Sequence, residues 1–125
     1  MRAVLKVFLA TGLLLVIFTL PATTTQSIEG IASWYGGGEK LCKYTANGEV
    51  FNPTALTCAS WDFSFDTRLK VTNLANQKTV IVKVNDRGPA KRLGRAIDLT
   101  KSAFAKIADT KKGLIPVKIE KIISK

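Results

Sequence analysis

The sequence predicts a small, mainly β protein with a barrel-like sheet and one short helix. Residues 67–73 alternate apolar Leu69 and Val71 with polar neighbours, and residues 78–84 and 114–122 repeat the alternation. Alternation with a period of two is typical of a strand that buries one face. Three such short runs with turn-rich segments between them favour a small β-barrel.

A first strand is predicted over residues 29–35, because the three glycines at 36–38 end it. Consecutive glycines lose too much backbone entropy to lie inside an ordered element. The following segment, as far as about residue 65, is rich in Asn, Gly, Pro, Thr and Ser and is predicted to be loop. Residues 73–77 join two alternating runs and are predicted to form a hairpin connection.

The second half of the chain adds a short strand over residues 96–99 and the single predicted helix over residues 101–109. Thr100 is a good N-cap, because its hydroxyl can accept a bond from an amide of the first helical turn. Phe104 and Ile107 lie on the same side at helical spacing. The helix is therefore predicted to pack against the sheet.

The first residues have the layout of a secretory signal. Arg2 and Lys6 precede the uncharged apolar run 7–20, and small residues follow at 21–25. A basic head, a short apolar middle and a small-residue tail are the parts of a signal peptide. The apolar run is shorter than the roughly 20 residues that span a bilayer as a helix. A retained N-terminal anchor is the alternative.

The chain is thus predicted to comprise a signal peptide at residues 1–22, a short spacer at 23–28 and one domain at 29–125. About a hundred residues are enough for one compact core and too few for two. The exported domain is expected to be a monomer with no stable membrane anchor after cleavage. Its expected location is the periplasm, the cell envelope or the medium.

The chain is strongly basic, with 19 Lys and Arg against 9 Asp and Glu and a net charge of +10. Such a surface favours anionic partners through long-range attraction that salt weakens. Nucleic acid is not expected as a partner, because an exported protein rarely meets it and no basic helix is predicted. An anionic cell-wall polymer or membrane surface is favoured, and a solvated surface without a specific partner is the alternative.

Cys42 and Cys58 are the only cysteines, an even number in a chain predicted to enter an oxidising compartment. A disulfide between them would close a loop of about 17 residues and stabilise the fold by about 3 kcal/mol through the unfolded state. Two free thiols are the alternative. No metal and no cofactor are expected, because the chain has no His and two thiolates do not complete a zinc shell.

A candidate catalytic site follows the second alternating run, in the sequence NDRGP at residues 85–89. A carboxylate where a strand meets a Gly-Pro turn is held on a rigid edge and is open to a cleft, where its pKa can be tuned for chemistry. Asp86 is therefore a candidate acid. The alternative is a structural turn in which Asp86 accepts backbone amides and pairs with Arg87.

Five short motifs stand in the same order as in a known family. They are GIASWYG at 30–36, TANGE at 45–49, LKVTNL at 69–74, NDRGP at 85–89 and IDLT at 97–100. In this order they resemble the RlpA family (rare lipoprotein A), and the likeness runs from about residue 30 to residue 120. Any one motif is weak, whereas five in register across one domain are specific.

The resemblance implies a fold and an activity. The fold is a six-stranded double-psi β-barrel, shared in outline with expansins. The activity is that of a septal lytic transglycosylase, which cuts the β-1,4 bond between N-acetylmuramic acid and N-acetylglucosamine in peptidoglycan, preferably in strands without peptide stems. The product carries a 1,6-anhydro ring, so the reaction needs a proton donor and a base for the 6-hydroxyl group of the sugar.

By position, the resemblance implies Glu49 and Asp86 as the catalytic carboxylates and a His whose place Ser60 takes in this chain. Serine does not titrate near neutrality, so Ser60 is expected only to donate a hydrogen bond. The missing His supports the alternative of a non-catalytic, expansin-like module that binds peptidoglycan or another polysaccharide. Trp61 is expected to plug the core or a loop, and a sugar-stacking face is its alternative role.

Four more residues complete the predicted substrate-binding set: Trp34, Tyr35, Asn85 and Arg87. Trp34 and Tyr35 point to opposite faces of a regular strand, so at most one of them can line a groove. Arg87 is expected to point toward a structural acceptor or toward the lactyl carboxylate of the substrate. A guanidinium turned toward Asp86 would oppose the raised pKa that an acid catalyst needs.

Overall fold

The computed structural model describes residues 16–17 and 26–123. Six strands within the second range form one closed barrel. Across these residues the strands are β1 (Ser27–Tyr35), β2 (Thr57–Ala59), β3 (Arg68–Asn73), β4 (Thr79–Asp86), β5 (Ile97–Thr100) and β6 (Ile115–Lys121), and the helix is α1 (Lys101–Ala105). Single 3₁₀ turns cover Lys91–Leu93 and Thr110–Lys112. The predicted fold class, a six-stranded β-barrel with one short helix, is confirmed.

The strands follow each other round the barrel in the order β1, β5, β2, β4, β3, β6. The pairs β1–β5 and β2–β4 are parallel, and the other four pairs are antiparallel. Closure removes sheet edges. Pro116, near the start of β6, pairs with Ile31 of β1, and the pairing of β6 with β3 begins at Val117. Ala59, the last residue of β2, pairs with Asp86 at the end of β4 and with Asp98 of β5, so three strands meet at this position.

The inward faces of the strands form the core. Side chains that are at most 1% exposed include Leu69, Val71, Val82, Val84, Ile97, Leu99, Val117 and Ile119. The alternation predicted for β3, β4 and β6 therefore points as expected. Phe104 and Ile107 are also fully buried and pack on the barrel core. Burying each of these large side chains stabilises the fold by about 1.5–3 kcal/mol.

Strands β1 and β2 differ from the predicted elements. Strand β1 begins at Ser27, inside the predicted spacer, because Ser27 pairs with Glu120 of β6. Strand β2 lies in a segment predicted to be loop, since three residues are too few to display an alternation. Of the predicted signal peptide and spacer, only residues 16–17 and 26–28 are among the described residues.

Helix α1 is shorter than the predicted range of 101–109. Its start is as predicted, because Thr100 Oγ1 accepts a bond from Ala103 N at 3.3 Å. After Ala105 the bonding changes to the tighter 3₁₀ spacing, because Lys106 N donates to Ala103 O at 3.2 Å and Ile107 N donates to Phe104 O at 3.0 Å. The side-chain amides of Asn73 and Asn76 then donate to Ile107 O, a carbonyl beyond the helix, at 2.8 and 3.0 Å.

Among the described residues, no helix combines the length and the apolar character needed to cross a bilayer.

The hairpin between β3 and β4 contains one strained position. Gln77 has a φ of 64°, in the left-handed region that side chains with a Cβ disfavour. We expect Gln77→Gly to raise the free energy of unfolding by about 0.5–1 kcal/mol, because glycine relieves this strain and loses part of the gain to its greater unfolded-state freedom. Denaturant unfolding measures the change. Gln77→Ala keeps the strain and is the matched control; equal stability of the two variants would contradict the prediction.

Candidate active site

A cavity of about 470 Å³ opens at the mouth of the barrel. Its lining includes Tyr35 from the end of β1, Ala59 from β2, Asp86 from β4 and Asp98 from β5. Loop residues complete the wall, among them Thr45, Ala46, Leu41 and Pro89. The volume lies in the range of pockets that bind small ligands or one or two sugar units. Two carboxyl groups and one phenol therefore face a single space.

Asp86 is aimed into the cavity by a β-bulge. Cys58 pairs with Val84 and Ala59 pairs with Asp86, so Asn85 is an extra residue in β4. Bulges of this kind redirect a side chain and are frequent beside active sites. Asp86 Oδ1 accepts the backbone amides of Ala46 and Arg87, both at 2.9 Å. Oδ2 accepts a hydrogen bond from the Tyr35 hydroxyl at 3.5 Å and can accept another from a ligand in the cavity.

Asp98 is the second carboxyl group of the cavity, and the sequence interpretation did not assign it to the site. It lies in β5 between the fully buried Ile97 and Leu99. Burial raises the pKa of Asp98 to about 6, a hydrogen bond from Ser33 Oγ at 3.1 Å opposes that rise, and the nearby charge of Asp86 adds to it. Because Asp is depleted in strands, an Asp within IDLT was a usable signal for a functional position.

Tyr35 and Trp34 occupy different environments on β1. Tyr35 lines the cavity, where burial and the charge of Asp86 raise its pKa well above the usual range, so its hydroxyl stays neutral and can donate a hydrogen bond. Trp34 Nε1 donates to Thr110 O at 2.9 Å, and its ring packs against Phe104. Trp34 is therefore a packing residue outside the cavity wall.

Glu49 does not share the cavity with Asp86. Its carboxylate accepts bonds from Lys83 Nζ at 3.0 Å and from Asn85 Nδ2 at 3.1 Å. These bonds, the one from Lys83 first, lower the pKa of Glu49. Lys83 points outward because its neighbours Val82 and Val84 point into the core, and Glu49 follows it to the outer wall. Asp86 thus shares the cavity with Asp98, whereas Glu49 is not among the residues that line it.

Three predicted substrate-binding residues support the loop that carries Asp86. Ser60 is 1% exposed, its Oγ accepts Asp62 N at 3.1 Å, and its backbone amide donates to Asp86 O at 3.1 Å. Arg87 reaches the cavity wall, but its Nη1 donates to Ser60 O at 2.8 Å. Asn85 is 4% exposed and lies outside the wall; within the described part of the chain its Oδ1 meets no donor.

The two cysteines are free thiols, so the disulfide prediction is wrong. Cys58 is fully buried on the inward face of β2, between β4 and β5, and burial raises its pKa far above the usual range. Cys42 is exposed in the loop that lines the cavity. Cys58 thus belongs to the barrel core, whereas Cys42 belongs to an exposed loop, and no bond joins them.

The comparisons with known proteins agree with this geometry. The family model described as "Lytic transglycolase", a double-psi β-barrel model, matches residues 27–119. This chain belongs to the RlpA family. Its RlpA relatives include the "Endolytic peptidoglycan transglycosylase RlpA" of Campylobacter jejuni, 47% identical over 97 residues, and that of Rickettsia bellii, 50% identical over 102 residues. The matches cover 78% and 80% of this chain, but 34% and 44% of the relatives.

Solved structures outside the RlpA family share the fold. A Streptomyces papain inhibitor has a TM-score of 0.63 at 21% identity, with 78% of this chain and 96% of that chain covered. A Clavibacter michiganensis expansin in complex with cellohexaose has a TM-score of 0.63 at 20% identity, with 80% and 52% covered. At this level of identity the likeness concerns the barrel alone.

Proposed function

We propose that this protein is an exported lytic transglycosylase, a lyase that cuts the β-1,4 bond between N-acetylmuramic acid and N-acetylglucosamine in glycan strands of peptidoglycan. One observation carries the proposal: Asp86, Asp98 and the Tyr35 hydroxyl line one open cavity in an RlpA-family barrel. The printed names of the relatives, endolytic peptidoglycan transglycosylases, support the substrate class. Glycosidic bonds are commonly cut between two carboxyl groups.

Asp98 supplies the proton to the leaving oxygen. With a pKa of about 6 it carries its proton in a useful fraction of molecules near neutral pH, whereas an ordinary Asp does not. The proton passes from the carboxyl group to the glycosidic oxygen as the bond between that oxygen and C1 of the muramic acid breaks. The sugar ring then carries the developing positive charge, which the carboxylate of Asp86 stabilises from the same cavity.

Asp86 accepts the proton of the 6-hydroxyl group. Its Oδ1 is occupied by two backbone amides, so Oδ2 is the oxygen available as a base. The 6-oxygen bonds to C1, closes the 1,6-anhydro ring and gives its proton to Oδ2, so no water is consumed. The Tyr35 hydroxyl donates to the same carboxylate and orients it. After product release, Asp86 loses this proton to solvent and Asp98 takes one up, which restores the starting state.

The shape beyond the carboxyl groups suits a polymer. A second depression shares Leu41, Cys42 and Phe51 with the cavity and continues past Gly36 and Pro53. A strand lying along both depressions would have sugar units on each side of the bond that is cut. Glu49, on the outer wall, is proposed as a support for Asn85 and the loop rather than as a reacting group.

Export, cleavage after residue 22 and action in the periplasm, the envelope or the medium follow from the same proposal, with a monomer as the working unit. Peptidoglycan lies outside the cytoplasmic membrane, so an enzyme acting on it needs the signal predicted at residues 1–22. Mass spectrometry of the protein secreted by a host cell tests this part. A mature N-terminus near residue 23 is expected, and an intact N-terminus would contradict cleavage.

A non-catalytic glycan-binding module is the second candidate. The expansin neighbour, solved in complex with cellohexaose, and Ser60 in the place of the family His favour it. The two functions separate when the purified protein is incubated with peptide-free glycan strands. Anhydro-ended products in the mass spectrum support the enzyme. Binding to intact sacculi without such products would establish the binder and overturn the proposed reaction.

The position of Glu49 leads to a further prediction. Because its carboxylate lies outside the cavity, we expect Glu49→Gln to keep at least about a hundredfold more activity than Asp86→Asn, which removes a group proposed to transfer protons. The initial rate of anhydro-product release measures both variants. Lys83→Gln breaks the same ion pair from the other side and is the matched control. A Glu49→Gln variant as inactive as Asp86→Asn would return Glu49 to the catalytic pair.

A further inference from the structure

Trp61 stands on the surface beside the cavity with nearly half of its area exposed, 49%. Its ring is nevertheless fixed, because Nε1 donates to Pro89 O at 2.7 Å. Pro89 lines the cavity, so this bond attaches the indole to the cavity rim. Because its only polar atom is hydrogen-bonded, the exposed indole is held in one orientation and is available for stacking with a ligand at the rim.

The same backbone holds Trp61 and Asp86 in register. The amide of Ser60, the residue before Trp61, donates to Asp86 O at 3.1 Å, and Arg87 Nη1 donates to Ser60 O at 2.8 Å. Asp86 and Arg87 are therefore both bonded to the residue that precedes the indole. A sugar resting on Trp61 would occupy a fixed position relative to the carboxylate, as a substrate-positioning contact requires.

The ammonium group of Lys91 lies over the Trp61 ring. Lys91 Nζ lies 5.1 Å from the centre of the Trp61 ring, within cation–π distance. Lys91 is exposed on the 3₁₀ turn Lys91–Leu93, next to the basic Arg92. None of the ion pairs found among residues 16–17 and 26–123 involves Lys91 or Arg92. The ammonium is thus available to a carboxylate that does not belong to this chain.

An aromatic face with a cation beside it matches an acidic sugar. The C–H face of a pyranose stacks on one face of an indole, and an ammonium held over the ring, as Lys91 Nζ is, can pair with a carboxylate carried by the sugar. Muramic acid bears a lactyl carboxylate, which is free in strands without peptide stems and is converted to an amide where a stem is attached. The charged sugar and the rim are therefore complementary only when the stem has been removed.

We infer that Trp61 and Lys91 form a subsite for a muramic acid residue, with Trp61 stacking on the sugar and Lys91 reading its free lactyl carboxylate. The inference rests on the proposed function for the identity of the glycan, but it concerns binding and not bond cleavage. It assigns a preference for peptide-free strands to two side chains on the cavity rim. Asp86 and Asp98 would then act on a bond one step further along the strand.

Binding is measured by calorimetry in the Asp86→Asn background, so that the ligand is not cut. The probe is a peptide-free peptidoglycan oligosaccharide with free lactyl carboxylates, compared with the same oligosaccharide after carbodiimide conversion of those carboxylates to amides. We expect the acidic form to bind about twofold to fivefold more tightly than the amidated form, as one exposed ion pair allows. The difference in affinity should shrink as salt is raised from about 50 to about 500 mM, because salt screens the attraction between exposed charges.

Variants separate the two parts of the subsite. Lys91→Gln should remove the difference between acidic and amidated ligand, whereas Lys91→Arg should retain it. Trp61→Ala should weaken both ligands alike by about tenfold or more, the loss expected for one aromatic platform, and Trp61→Phe should recover part of it. Lys70→Gln is the matched control, because it removes one equally exposed positive charge from the outer wall of β3. Thermal unfolding of each variant checks that the fold is kept.

Two results would overturn the subsite. One is a Lys91→Gln variant that still distinguishes the two ligands as strongly as Lys70→Gln does. The other is a folded Trp61→Ala variant that binds both ligands normally. The proposed reaction fails separately: a protein that discriminates through Lys91 and yet releases no anhydro product keeps the subsite and loses the enzyme. A protein that releases anhydro product but does not discriminate through Lys91 keeps the proposed reaction and loses the subsite.

Discussion

Asp86→Asn is expected to lower anhydro-product release by about 10²–10⁴-fold, the contribution of a positioned proton-transfer group. The melting temperature should change little, because the Asn side-chain oxygen can still accept the amides of Ala46 and Arg87 that Asp86 Oδ1 accepts. The substitution therefore removes the base while keeping the loop in place. Mass-spectrometric time courses on peptide-free strands give the rate, and thermal unfolding gives the stability.

Asp62→Asn is the matched control for this substitution. Asp62 is an exposed residue two positions after Ser60, and it donates its backbone amide, not its carboxylate, to the Ser60 hydroxyl. The same change of charge there should leave the rate nearly intact. If Asp86→Asn instead unfolds the protein at a much lower temperature while the folded fraction remains active, the carboxylate has the structural role that the turn interpretation allows.

Asp98→Asn is expected to reduce activity by at least about a hundredfold and to stabilise the protein at pH 7. The folded-state pKa of about 6 lies above the ordinary value of 3.8, so the folded protein binds more protons than the unfolded chain between these values. Stability contributed by this group is therefore present at low pH and is lost as pH rises through 6. Removing the charge should restore about 1–3 kcal/mol at pH 7.

Denaturant unfolding of the wild type and Asp98→Asn across pH 4–8 measures this linkage. The variant should be the more stable protein above pH 6, and the gap should nearly close by about pH 4, where the wild-type carboxyl group is protonated in the folded state. A gap that does not depend on pH would contradict a buried, proton-bearing Asp98. The activity of the wild type should fall as pH rises above 6, because fewer molecules carry the catalytic proton.

The strands with a clear alternation could be predicted because burial of one face leaves a direct trace in the sequence. Strands β3, β4 and β6 lie where that pattern put them. Strand β2 could not be found this way, since it has three residues and obtains its pairing from β4 and β5. The end of α1 was equally hidden, because the residues after Ala105 satisfy their amides with 3₁₀ bonds that the apolar spacing does not reveal.

The candidate site could be predicted only in part. Asp86 was accessible to sequence reasoning because a strand, a carboxylate and a Gly-Pro turn occur together locally. The partners of Glu49 were not predictable, because spacing along a loop does not reveal that its carboxylate accepts a bond from Lys83 of β4. Asp98 acquires its raised pKa from burial among neighbours on other strands, a property that exists only in the folded barrel.

The extra residue in β4 also sets a limit on how this domain can change length. With Asn85 as the added residue, Asp86 stands opposite Ala59, and a single-codon deletion between Thr79 and Asp86 would shift that partner by one position. Insertions in the glycine-rich segment after β1 leave this pairing alone. The glycines at 36–38 can therefore be lengthened without changing this pairing, whereas β4 must keep its eight residues.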